Sequence, residues 1–320
     1  MYQVKYSQWI DSEDINIISV QNRIQKEAKR KAHNLDKDPF DNGDLKNDVQ
    51  FKFDTLQTLT LAKKQIKYNY IIFNYEVVNP FHQQDTERSK RVTLNEYEIV
   101  LFEVDGVIKY IVNKNNSNTI KTVLRKLNGL GNKSQTAIMP ANLLGIKSDL
   151  FVWLVHNLIE NPEKKIGTNY NIKIDTITSF RGEKPTMKES PKNNTITGHG
   201  ETIMNMVTTL LFLFESKSIS VVELHMFIDD DQLTIQLTKG GGVALNLNNF
   251  IYGPSKNSNV YQQNSEKLIF IFYYLLQQLV DSLSDEQSTR AWSDKKIQMF
   301  YKRIGRSIKQ RVTEMMKSKI

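Results

Sequence analysis

Seven cations in the closing stretch "SDKKIQMFYKRIGRSIKQRVTEMMKSKI" (293–320) have the spacing to do one kind of chemistry. At about 100° per residue, Lys295, Lys302, Arg306, Lys309 and Lys317 fall along one line of a helix, with Lys296 and Arg303 on its flank. Ile297, Tyr301, Ile304, Ile308, Val312 and Met315 gather on the opposite side, as a docking stripe would. A merely solvated helix interleaves Glu with Lys at i,i+4. Here only Asp294 and Glu314 are acidic, so the cations repel one another unless a ligand neutralises them. Phosphates do this, and the release of condensed counterions supplies the free energy. Ten of the 43 basic residues but only two of the 35 acidic ones lie in 290–320. The net charge of +8 therefore resides in that segment, and the rest of the chain is formally balanced.

Lys121, Arg125 and Lys126, followed by Lys133, make a second cationic set, and Lys26 to Lys31 a third. Scattered solubilising charge is the competing reading of both. The aromatic run Phe51, Phe53, Tyr68, Tyr70, Phe73 and Tyr75 has the residue types that stack on bases. Alternation in strands makes these residues core instead, and no RNA-recognition sheet motif accompanies them.

Hydrolytic chemistry has fewer handles. His199, Glu201, Glu223, His225 and Asp229 to Asp231 are ligand types that hold a divalent ion in nucleases. The nuclease spacing of acid, spacer and Lys is not met in "DDDQLTIQLTK", where two residues separate Gln236 from Lys239. Asp229-Asp230 also reads as a hairpin turn. No metal is assigned; His199, Glu201, Asp229 and Asp231 stand as the candidate ligands. Glu103, Asp105 and Lys109 are a second such group. "NGLGNKS" (128–134) follows a helix and lacks phosphate-loop spacing, so it reads as a helix cap. "TGHGET" (197–202) opens a helix and is the other place where backbone amides could meet an anion. No serine-triad motif is present, and the absence of cysteine removes thiolate nucleophiles, thiolate metal sites and disulfides. No cofactor is expected.

These residues need elements to hold them. A helix over about 12–33, capped by Ser12, is followed by a polar loop at 34–47. Alternating apolar residues over 49–113 predict about four antiparallel strands, with Asp105-Gly106 turning the last hairpin. Helices follow at 118–127, ended by Gly129, and at 148–160, capped by Ser148. A strand is predicted at 169–180 and a helix at 201–215. The run "SISVVELHMFIDDDQLTIQLTKGGGVALNLN" predicts a three-stranded meander. It would bury Val222, Leu224, Met226, Ile228, Leu233, Ile235, Leu237, Val243, Leu245 and Leu247 on one face. The apolar helices at 201–215 and 265–282 are its expected lids.

The expected class is α+β: an antiparallel sheet domain with helices (1–180), a polar linker or long loop (181–200), and a meander domain ending in the basic helix (201–320). The apolar runs fall short of the ~20 residues of a membrane span, and the start of the chain lacks a signal pattern, so a cytoplasmic protein is expected. The functional expectation is nucleic-acid binding, DNA or RNA, mainly through phosphates. The host expected from abundant Lys and Asn is a bacterial or phage-related assembly, of defence or mobile-element type, with the chain as accessory or sensor subunit. The alternatives are a Mg- or Mn-dependent nuclease and a module binding an acidic protein partner or a second copy of itself.

Overall fold

The computed structural model describes residues 3–12, 16–28, 37–38, 40, 42–130, 137–141, 146–183, 194–197, 218–250 and 258–317. In chain order the strands are β1 (Val4–Asp11), β2 (Asn47–Phe51), β3 (Gln57–Leu61), β4 (Lys64–Val78), β5 (Val92–Val104), β6 (Val107–Val112) and β7 (Ile138–Pro140). They continue as β8 (Lys165–Ile166), β9 (Ile172–Glu183), β10 (Asn194–Thr197), β11 (Ser218–Ile228), β12 (Asp231–Thr238) and β13 (Val243–Leu245). The helices are α1 (Ile17–Ala28), α2 (Arg88–Arg91), α3 (Ser117–Leu127), α4 (Ser148–Glu160), α5 (Val260–Ile269), α6 (Leu276–Ser288) and α7 (Asp294–Lys317). The class is α+β with antiparallel strand pairing, as the alternating patterns predict.

Two compact units are present. The amino-terminal unit comprises Val4–Ala141 and Ser255–Phe270. The carboxy-terminal unit comprises Met1–Gln3, Asn142–Pro254 and Ile271–Ile320. The polar stretch 181–200 lies inside the latter, and its described parts pair as the end of β9 and as β10.

In the amino-terminal unit the strands run β1-β6-β5-β4-β2, with β3 also on β4 and β7 on β1. Every second residue of the central strands enters one core: Ile71 and Phe73, then Tyr97, Ile99 and Leu101, then Ile108, Tyr110 and Val112. Helices α1 and α3 cover that face with Ile17, Val20 and Ile24, and with Ile120, Val123, Leu124 and Leu127. The alternate residues of β4 face α5, where the Tyr68 hydroxyl donates to Glu266 at 3.0 Å and Tyr70 packs on Tyr261. A sheet covered on both sides explains the continuous burial of 68–71. Four of the six aromatics are core, as expected; Phe51 and Tyr75 are half-buried.

Two starts and one lid differ from the sequence reading. Helix α1 begins at Ile17, not Ser12, because Asn16 Oδ1 accepts from Ser19 N and Glu103 accepts from Ile17 N at 2.9 Å. Ser148 opens α4 without capping it; its hydroxyl instead accepts from Ile219 N of β11. The predicted lid at 265–282 is divided: α5 packs on β4, a π-helical segment follows over Phe270–Leu275, and α6 packs on α4 and β8. The helix predicted at 201–215 lies outside the described residues.

In the carboxy-terminal unit the order is β10-β9-β11-β12-β13, with β8 on β9. All ten predicted meander residues are buried, and α4 packs against β9 and β11. Asp229 takes a φ of 50° at the β11–β12 turn. It also clamps the loop before β9, accepting from Asn171 N at 2.9 Å.

Candidate nucleic-acid interface

Helix α7 carries the cationic ridge, and a tight turn launches it. Arg290 adopts a φ of 62°, and the Trp292 amide returns to Glu286 O of α6. Trp292, Phe300 and Ile304 are then buried. Their neighbour is His156 of α4, whose ring centroid lies 4.7 Å from that of Trp292 and 5.2 Å from that of Phe300. The helix is thus docked by its first three turns. Further along, the expected stripe emerges: Ile308 is half-buried, while Val312 and Met315 are exposed. The sequence reading missed Phe300, whose place beside Ile304 at i,i+4 was the available signal.

Burial pushes the His156 imidazole down from 6.5 to about 4, and the nearby cations Lys164, Arg303 and Lys296 push the same way. A group that resists protonation only in the folded state contributes stability that is whole above the unfolded value and is lost as pH falls toward the folded one. The α4–α7 junction is therefore expected to weaken between pH 6.5 and about 4. Thermal unfolding at neutral and at acid pH checks this: His156→Phe should shrink the acid-side loss. An undiminished loss in that variant would place its origin elsewhere.

Lys295, Lys296, Lys302, Arg303, Arg306, Lys309 and Lys317 are all exposed. Arg303 pairs with Glu160 at the end of α4. Among the described residues, Lys295, Lys302, Arg306, Lys309 and Lys317 meet no carboxylate. The ridge keeps its charge.

The second set sits differently. Lys121, Arg125 and Lys126 are half-buried on α3, whose apolar face fills the amino-terminal core. Lys126 Nζ lies 3.9 Å from the centroid of the Tyr75 ring. Gly129 ends α3 with a φ of 64°, the left-handed conformation that glycine adopts without the strain a Cβ would add, so the cap reading holds. Of the third set, Lys26 is exposed and 29–36 lie outside the described residues.

The candidate ligand set is dispersed. Asp229 is engaged in its turn and Asp231 begins β12, while His199 and Glu201 lie outside the described residues. Glu223 accepts from Thr178 Oγ1 at 2.6 Å, and His225 Nδ1 meets Asp175 at 3.0 Å. Glu103 holds α1, and Asp105 pairs with Lys64 at 2.6 Å. Among the described residues no three acidic or histidine side chains gather as a metal site, and no helix is long and apolar enough to cross a membrane.

No protein-family model matches this chain, and no curated protein matches its sequence.

Proposed function

We propose that the protein binds nucleic acid through phosphate contacts along α7, without reading base sequence there, as an accessory or sensor subunit of a larger assembly. One observation carries this: five cations share an exposed helical line and meet no carboxylate among the described residues. Holding like charges together costs free energy unless a polyanion displaces their counterions. The test is a salt series on DNA and RNA of mixed sequence. The logarithm of affinity should fall linearly with the logarithm of salt, with a slope of about −0.9 per phosphate contact on duplex DNA. Binding indifferent to salt would retire the proposal.

A second reading has its own support. Val312, Met315 and Met316 are 42%, 53% and 64% exposed at the end of the same helix, and apolar groups beside cations suit an acidic protein surface or a second copy. Light scattering with and without nucleic acid separates the two readings: this one requires self-association or a protein complex in its absence.

A further inference from the structure

Strands β4 and β5 are paired from Lys67↔Glu103 to Val78↔Val92, and this ribbon outruns the helix above it. Where the cover of α3 stops, the inner face of the ribbon opens into a pocket of about 550 Å³. That volume lies within the roughly 300–1,000 Å³ of small-molecule sites. Tyr75 and Tyr97 form its inner wall, Asn95 and Thr93 continue the strand side, and Asn118, Thr119 and Thr122 supply the helix side. No lining residue is charged. The amide side chains of Asn95 and Asn118 make no hydrogen bond among the described residues, so each offers a donor and an acceptor side by side.

Two further observations bear on what fits. Lys126 of α3, one helical turn beyond the lining residue Thr122, sits on the ring of Tyr75. Phe81 follows the lining residue Pro80 in the chain and is 91% exposed, a flat apolar face left in water. A neutral slot with carboxamides, an aromatic wall and an exposed ring next to it in the chain matches a flat heterocycle with hydrogen-bonding edges. Carboxamides pair with base edges, exposed rings stack on base faces, and unstacked bases are how single strands are read.

We propose that this pocket takes one unstacked nucleobase of a single-stranded nucleic acid. The inference rests on the phosphate-binding reading of α7, and it adds a preference for single strands. The test uses the full chain and fluorescence anisotropy with three labelled probes of equal length: a single-stranded oligonucleotide, the same strand made abasic, and a duplex. The single strand should bind about tenfold more tightly than the abasic strand, a factor typical of one stacked base. Thr119→Trp fills the pocket from an exposed position and should erase that factor while leaving abasic binding intact. Phe81→Ala, at a site with no packing to lose, should reduce it. Equal affinity for base-bearing and abasic strands overturns the pocket assignment and leaves the α7 reading standing. No salt-sensitive binding of any probe overturns the α7 reading and this inference with it. Saturable binding of a nucleoside monophosphate with no strand preference assigns the pocket to free nucleotides and overturns the single-strand claim.

Discussion

Replacing Lys302, Arg306 and Lys309 together by glutamine is expected to weaken nucleic-acid binding by roughly 100- to 1,000-fold at about 0.1 M salt. The same change should flatten the salt slope by about 2.7, because each lost phosphate contact removes about 0.9 on duplex DNA. These three cations stand at consecutive ridge positions on the exposed side of α7, away from Trp292, Phe300 and Ile304. Surface substitutions of this kind change stability by no more than about 0.5 kcal/mol, so circular dichroism and thermal unfolding should be preserved. A matched control separates the ridge from net charge: Lys5, Lys63 and Lys67 are also exposed but lie off α7. Neutralising those three should cost far less. Equal losses in both triples would mean that bulk charge, not the helix, holds the ligand.

The largest effect on stability is expected from Asp11→Ala. Asp11 is buried at the end of β1 and accepts from Arg23 of α1 at 2.8 Å and from the Tyr110 hydroxyl of β6 at 3.2 Å. Arg23 also donates to Asn128 Oδ1 at 2.8 Å, and Asn128 donates back to Leu124 O of α3. One polar network thus ties two strands to two helices inside the apolar core. Removing the carboxylate takes a buried acidic partner from Arg23 and an acceptor from Tyr110, at a cost of about 3 kcal/mol, the low end for a broken buried pair. The low end applies because the Arg23 side chain is 21% exposed and keeps some water. Urea denaturation should show a lowered midpoint with an unchanged slope. Asp11→Asn, which retains an acceptor, should recover part of the loss. Arg23→Met in the Asp11→Ala background should recover more, since the guanidinium that lost this carboxylate is removed as well. If the double variant is as unstable as the sum of the singles, Asp11 and Arg23 are not coupled.

Much of the fold could be read from local pattern. The meander was legible because its ten core residues alternate without interruption and its turn residues favour positive φ, as Asp229 and Gly240 both show. The boundaries of α3 and α4 followed from a polar start and a Gly or Pro stop. Strand β1 was not legible: Val4–Asp11 carries buried Gln8 and Asp11 among its apolar residues, and it is the contact with Arg23, distant in sequence, that makes Asp11 tolerable there. The division of the helical run at 260–288 was hidden too. Its apolar residues are buried almost all round between Leu268 and Leu276, so no stripe announces which element each turn will meet. For the candidate site, the ridge was visible because helical spacing alone aligns cations. The pocket was not, since it arises from a length mismatch between the β4–β5 ribbon and α3. Tyr75 looks like any other strand aromatic until the helix above it ends.

The length of α7 sets a scale. From Lys295 to Lys317 the backbone advances about 33 Å at 1.5 Å per residue, a distance spanned by about ten stacked nucleotides at 3.4 Å each. The ridge is in effect a ruler with marks fixed by the peptide repeat. An oligonucleotide shorter than that footprint leaves the outermost lysines without partners, however tightly its centre is held.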